Sequence, residues 1–138
     1  TQKRSRRLKH VMVFGVFDGL HAGHRFFLRE AKKHGGELIA VVARDAVVRL
    51  LKNKTPRHDE RQRVRAIRES GLANHVVLGD TEQGTYGVIA RWKPDTICLG
   101  YDQDALARDM EKRAAFSRLR FIRMKTHLRS QFKTSLLA

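Results

Sequence analysis

The chain is poor in cysteine, proline and acidic residues, and it contains no long apolar run. Its one cysteine, Cys98, excludes an internal disulfide and fits a reducing, cytoplasmic setting. Two prolines and no low-complexity stretch in 138 residues argue for one domain with one core. The longest apolar runs, Val11–Phe17 and Leu38–Ala43, are far too short to cross a bilayer. The charged start Thr1-Gln2-Lys3-Arg4-Ser5-Arg6-Arg7 is not followed by an apolar signal core. Acidic residues number 14 against 29 Lys and Arg, a formal net charge of +15. Such an excess predicts polyanionic partners, either nucleic acid or small phosphorylated substrates. Charge alone does not choose between them, and a solvated surface accounts equally well for most individual basic positions.

What the chain does have is an alternation of short apolar runs and helical spacings. Val11–Phe14 reads as a buried strand ended by Gly15, and Leu38–Ala43 as a second. His24–His34 has helical spacing through Phe27, Leu28 and Ala31, and Gly35-Gly36 stops it. Asp45 caps a short helix to about Leu51, and Asp59 starts another reaching Ser70. His75–Leu78, Thr96–Leu99 and Arg120–Met124 read as further strands, with helices over Tyr86–Trp92 and Ala105–Ser117 between them. This pattern predicts a single α/β domain, a Rossmann-like doubly wound five-stranded parallel sheet over residues 11–138. Residues 1–10 would form a basic N-terminal arm. Ligands of such sheets bind beyond the carboxyl ends of the strands, where strand order reverses.

The loop after the first strand holds the unusual residues. Gly15-Val16-Phe17-Asp18-Gly19-Leu20-His21-Ala22-Gly23-His24 joins a strand end to a helix start. Gly15 and Gly19 would let the backbone turn, and Gly23 would let a ligand approach closely. Unpaired N–H groups and the positive dipole end of the following helix suit a phosphate. His21 and His24, three apart, can face one ligand across the first turn and donate hydrogen bonds to phosphoryl oxygens. Two such histidines could also bind a metal, but no cysteine or further histidine nearby completes a ligand set, so no metal residues are assigned.

Gly15-Val16-Phe17-Asp18 followed by His21-Ala22-Gly23-His24 resembles the signature of the cytidylyltransferase-like nucleotidyltransferases. Leu38–Asp45, Lys52 and Lys54, Asp59-Glu60-Arg61-Gln62-Arg63 and Leu99-Gly100-Tyr101-Asp102-Gln103 follow in that family's order. Within it, the set is most similar to archaeal-type FAD synthetase, an FMN adenylyltransferase, with glycerol-3-phosphate cytidylyltransferase next. The Lys133-Thr134-Ser135 ending resembles the former. The Arg-Thr-x-Gly-Ile-Ser-Thr block of the latter is replaced here by Met124–Ser135.

The resemblance implies roles. His21 and His24 would contact the nucleotide phosphates and stabilise the transition state, with Lys52 or Lys54 reaching phosphates from the loop after the second strand. Gly15, Val16, Phe17, Asp18 and Gly23 would cradle the nucleotide, and Arg61 would stand near its phosphates. Gly100, Tyr101 and Asp102 would lie by base and ribose, and Lys133, Thr134 and Ser135 by the outer phosphates of a capped final helix. Each has a plainer alternative: a solvated basic loop at Lys52 and Lys54, a surface ion pair at Arg61, a turn cap at Asp18, packing at Tyr101, a helix cap at Thr134 and Ser135.

The implied reaction is direct in-line transfer from ATP to FMN, giving FAD and pyrophosphate, with Mg²⁺ bridging triphosphate oxygens. The alternatives are a CTP-dependent transfer to glycerol 3-phosphate and a basic nucleic-acid-binding module with salt-sensitive affinity. Family members often pair, which implies a homodimer. No membrane partner is expected.

Overall fold

Alternation along each strand decides which helices cover which face of the sheet. The computed structural model describes residues 9–82 and 84–124. Its strands are β1 (His10–Gly15), β2 (Glu37–Val42), β3 (His75–Leu78), β4 (Thr96–Leu99) and β5 (Arg120–Arg123). They lie in the order β3-β2-β1-β4-β5, parallel in every pairing. The helices are α1 (Ala22–Lys32), α2 (Asp45–Lys52), α3 (Glu60–Ser70), α4 (Gly87–Trp92) and α5 (Asp104–Glu111). Val11, Val13, Leu38, Ala40 and Val42 point to one face and pack with Leu28 and Ala31 of α1 and Val64 and Ile67 of α3. Met12, Ile39, Val41, Ile97 and Leu99 point to the other and meet Val88 and Ile89 of α4 and Ala107 and Met110 of α5. Both faces are covered, as a doubly wound α/β sheet requires.

Strand order reverses between β1 and β4. There the ladder is short, with only Val11 opposite Thr96 and Met12 opposite Ile97, whereas β1 and β2 stay in register from His10 to Gly15. Beyond those two pairs the carboxyl ends of β1 and β4 part, and a crevice opens. Cys98 of β4 is fully buried, and that burial pushes its thiol up to about 12 against a modest opposing pull from Arg120.

Local chemistry sets the helix ends. Asp59 accepts from the Gln62 N–H at 2.8 Å while the Gln62 side chain accepts from the Asp59 N–H at 2.9 Å, a reciprocal cap that starts α3. Two expectations change. Asp45 is the first residue of α2 and does not cap it; Arg44 holds the cap position. The helix expected over Ala105–Ser117 stops at Glu111 because Arg113 takes an extended backbone (φ −86°, ψ 124°). That turn lays the Arg113 guanidinium over the Tyr86 ring and within 3.1 Å of Asp109, and a 3-10 turn at Ala114–Phe116 follows. The Lys133-Thr134-Ser135 segment and the arm before Lys9 lie outside the described residues.

Arg63, 1% exposed, is the one buried cation among the described residues. Its Nε donates to the His58 carbonyl at 2.9 Å, and one terminal nitrogen reaches the carbonyls of Val16 (3.0 Å) and Ala43 (2.8 Å). The other meets the Asp45 carboxylate at 2.6 Å. Asp45 and Glu60 also accept each other's backbone N–H groups, at 3.2 and 2.8 Å, which ties the starts of α2 and α3 together. Removing the guanidinium leaves buried acceptors without a donor. Arg63→Leu is therefore expected to cost about 3–5 kcal/mol of stability in chemical denaturation. Arg63→Lys should recover little of it, since an ammonium cannot fork between these partners. A loss under about 1 kcal/mol for the leucine variant would contradict this account.

Candidate active site

The first loop turns through residues whose side chains do not advertise it. Gly19 takes φ +85°, but Phe17 (φ 55°) and Leu20 (φ 27°) also stand in the left-handed region. Both are buried, and packing holds them in a conformation costing on the order of 1–3 kcal/mol each. Gly15 serves a different purpose from the expected turn. A Cβ there would sit 2.7 Å from the Phe17 ring, so only glycine lets that ring close over the end of β1.

The two histidines build the start of α1. His21 is the N-cap residue; its Nδ1 accepts from the Gly23 N–H at 3.1 Å, while the His21 N–H donates to His24 Nδ1 at 3.2 Å. The arrangement is a capping box made with imidazoles. Since each Nδ1 is an acceptor, the proton of either neutral ring belongs on Nε2, the end away from the helix backbone. The rings stack with centroids 3.7 Å apart, and Phe17 meets His24 edge-on at 5.6 Å. Burial first, and the neighbouring His21 second, push the His24 pKa down to about 4 despite the opposing influence of Asp18 and Asp102. His24 is thus a neutral Nε2–H donor at neutral pH.

A cavity of ≈ 770 Å³ occupies the crevice beyond β1 and β4. The loop from Gly15 to Asp18 lines one side together with His21, Gly23 and His24. Gly100, Tyr101 and Asp102 line the other, and Lys54 reaches in from the basic loop. Lys52 and Arg61 depart from the expected placement. Lys52 ends α2 and Arg61 lies in the first turn of α3; both are exposed and neither lines this cavity. Helix phase explains it, since Arg63, Val64 and Ile67 take the inward face of α3 and leave Arg61 outside.

Several lining residues were not singled out from sequence. Arg57 stands with Lys54 on the basic loop, and Phe26, Phe27 and Met124 add an apolar wall. Asp18 explains how that loop is held. Its carboxylate accepts from the N–H groups of Arg57 (2.8 Å) and His58 (3.0 Å) and meets the His58 ring at 3.0 Å. Burial alone would raise its pKa, but these bonds hold it below the usual carboxylate range. Asp18 therefore acts as a tie between the first loop and the basic loop, and not as a cap on its own turn. Among the described residues no group of three His, Cys, Asp or Glu side chains is placed to hold a metal ion. None of the described helices is long and apolar enough to cross a membrane.

The depressed pKa has a sign that can be checked. His24 is neutral when folded and gains a proton more easily when unfolded, so its contribution to stability is complete above pH ~6.5 and is lost as pH falls towards 4. Titration followed by NMR should place His24 near 4; a value near 6.5 would mean that the buried, stacked arrangement does not hold in solution.

Comparison with known proteins agrees with this geometry. The family model described as cytidylyltransferase-like matches residues 12–136. A Pyrococcus horikoshii protein named FAD synthase is 38% identical over 109 residues, 79% of this chain and 74% of that one. Its namesake from Methanothermobacter thermautotrophicus is 41% identical over 113 residues, 77% of this chain and 74% of that one. A solved structure described as the lipopolysaccharide core biosynthesis protein of Thermoplasma volcanium superposes with a TM-score of 0.79 at 36% identity, covering 88% of this chain and 99% of that one. A protein of unknown function from Archaeoglobus fulgidus shares the fold at 17% identity, with a TM-score of 0.68 over 86% of this chain and 91% of that one. With the family model spanning nearly the whole chain and relatives this similar across three quarters of it, the protein belongs to the cytidylyltransferase-like nucleotidyltransferases.

Proposed function

We propose that the chain transfers the adenylyl group of ATP to FMN, forming FAD and pyrophosphate. The observation that carries this reading is the similarity to archaeal chains named FAD synthase over about three quarters of both partners. The cavity supports it. Phe26, Phe27 and Met124 offer apolar surface to a flat ring system, and the same cavity is lined by the two histidines and the cations Lys54 and Arg57.

In the reaction a phosphate oxygen of FMN forms a new bond to the α-phosphorus of ATP. The bond from that phosphorus to the bridging oxygen breaks, and pyrophosphate leaves with the electron pair. The attacking oxygen is already ionised, so neither a protein base nor a covalent intermediate is required. What the protein supplies is position and charge. His21 and His24 would present Nε2–H donors to the phosphoryl oxygens, beside the positive end of α1. Lys54 and Arg57 would balance the triphosphate charge, held in reach by the Asp18 tie. Gly100, Tyr101 and Asp102 would contact base and ribose. The described residues form no carboxylate cage for Mg²⁺. A magnesium ion would arrive on the triphosphate, with phosphate oxygens and water as ligands, and neutralise part of its charge.

Pyrophosphate release with ATP plus FMN, compared with CTP plus glycerol 3-phosphate, tests the reading. Turnover is expected with the first pair. No turnover with either, beside tight and salt-sensitive RNA binding, would replace it with the nucleic-acid alternative. His21→Ala and His24→Ala should each lower kcat by about 100-fold or more, the usual cost of losing one preorganised donor. Wild-type rates in a folded double variant would remove the histidines from the chemistry.

A further inference from the structure

The crevice between β1 and β4 is bridged by a side chain that the chemistry above does not use. Past the Met12–Ile97 pair the two strands no longer meet backbone to backbone. The Phe14 carbonyl on β1 and the Gly100 N–H just after β4 would then face each other across a gap. Gln103 fills it. Its Nε2 donates to the Phe14 carbonyl at 2.8 Å, and its Oε1 accepts from the Gly100 N–H at 2.8 Å. The carboxamide therefore stands in for a missing peptide group, one donor and one acceptor in the place where a sheet would continue.

We propose that Gln103 is a positioning residue that fixes the width of the nucleotide crevice, acting on substrate through the Gly100–Asp102 turn. Three features lead to that assignment. The bridge lies at the point of strand-order reversal, where doubly wound sheets bind their ligands, and Gln103 lines the cavity. Gln103 is also held from behind. Its N–H donates to the Gly100 carbonyl at 3.1 Å, closing the turn, and its carbonyl accepts from Ala107 at 3.0 Å, fixing it to the start of α5. The turn is joined to Gln103 through the Gly100 peptide, whose N–H and carbonyl are both bonded to it, and the Asp102 carboxylate lies against Gly100, 3.1 Å from where a Cβ would stand. A shift at Gln103 must therefore move Gly100, Tyr101 and Asp102 relative to Phe14 and the histidine loop. The residue does not need to touch the reacting atoms to matter. It sets the distance between the wall that holds the histidines and the wall that would hold base and ribose.

The inference rests on the nucleotidyl-transfer reading for its substrate, and the test keeps the two apart. Gln103→Leu removes both bonds at nearly constant shape; Gln103→Glu keeps an acceptor for Gly100 and loses the donor to Phe14. In the leucine variant the KM for ATP should rise ten-fold or more and the preference for ATP over CTP and GTP should narrow. The KM for FMN should stay within two-fold. The glutamate variant should protect the Gly100 amide from hydrogen exchange nearly as wild type does, and the leucine variant should not. Exchange is measured on the full chain without substrate, so it reports on the bridge even if ATP and FMN are not the substrates. Binding of a non-hydrolysable ATP analogue by calorimetry reports on the crevice without turnover. If the leucine variant misfolds, the glutamate variant carries the test through weakened analogue binding and a raised ATP KM. Unchanged Gly100 exchange in the leucine variant, or unchanged nucleotide affinity and preference in a folded variant that has lost the bridge, overturns the proposal. Failure of the wild type to turn over FMN with the bridge behaving as described overturns only the choice of acceptor.

Discussion

The guanidinium of Arg63 sits where two chain segments leave the sheet and a third enters a helix, and each gives it an oxygen. Val16 follows β1, Ala43 follows β2 and His58 precedes α3, so one planar cation sets the relative height of three loops. Asp45 balances its charge and passes the constraint to the start of α2. Such a group is costly to desolvate, and its retention makes sense if geometry is what it supplies. Val16 belongs to the histidine loop, and His58 adjoins the basic loop. The two cavity walls that bear positive and donor groups are thus referred to one buried point.

The histidine loop shows a second economy, because the same rings that cap the helix have their outer nitrogens oriented by that cap. Imidazole Nδ1 atoms do the capping that Ser, Asp or Asn usually does, which orients the opposite nitrogens. Burial and the neighbouring His21 keep His24 neutral, so it offers a hydrogen bond without carrying a charge of its own. The left-handed Phe17 and Leu20 fit the same logic. Local strain is held by packing at the place where the loop must keep its shape.

The sequence made some of this legible for identifiable reasons. Strands β3 and β4 fall on the expected residues because short apolar runs there are bounded by turn formers. The start of α3 was legible in Asp59 and, with Gln62 three residues on, forms a reciprocal cap. The strand–loop–helix turn that bears the two histidines could be read from strand, glycine and histidine spacing; its internal mechanics could not, since Phe17 gives no sign of left-handed backbone. Arg61 and Arg63 look alike in a charged run, and only the phase set by Val64 and Ile67 separates the outward from the buried one. Arg57 is one cation among 29 Lys and Arg, and the amide of Gln103 carries no signal until the splayed strands are seen. The helix expected to reach Ser117 failed at Arg113, where a contact with Tyr86 outweighed helical spacing.

One buried group acquires a use from its position. Cys98 lies in β4, directly before Leu99 and Gly100, walled in by the core beneath α1 and α3. With its thiol fully covered and its ionisation pushed far up, it is chemically silent while the sheet is closed. A thiol reagent reaches it only when β4 separates from its neighbours. The labelling rate is then a clock for the opening of the strand that carries one lip of the crevice.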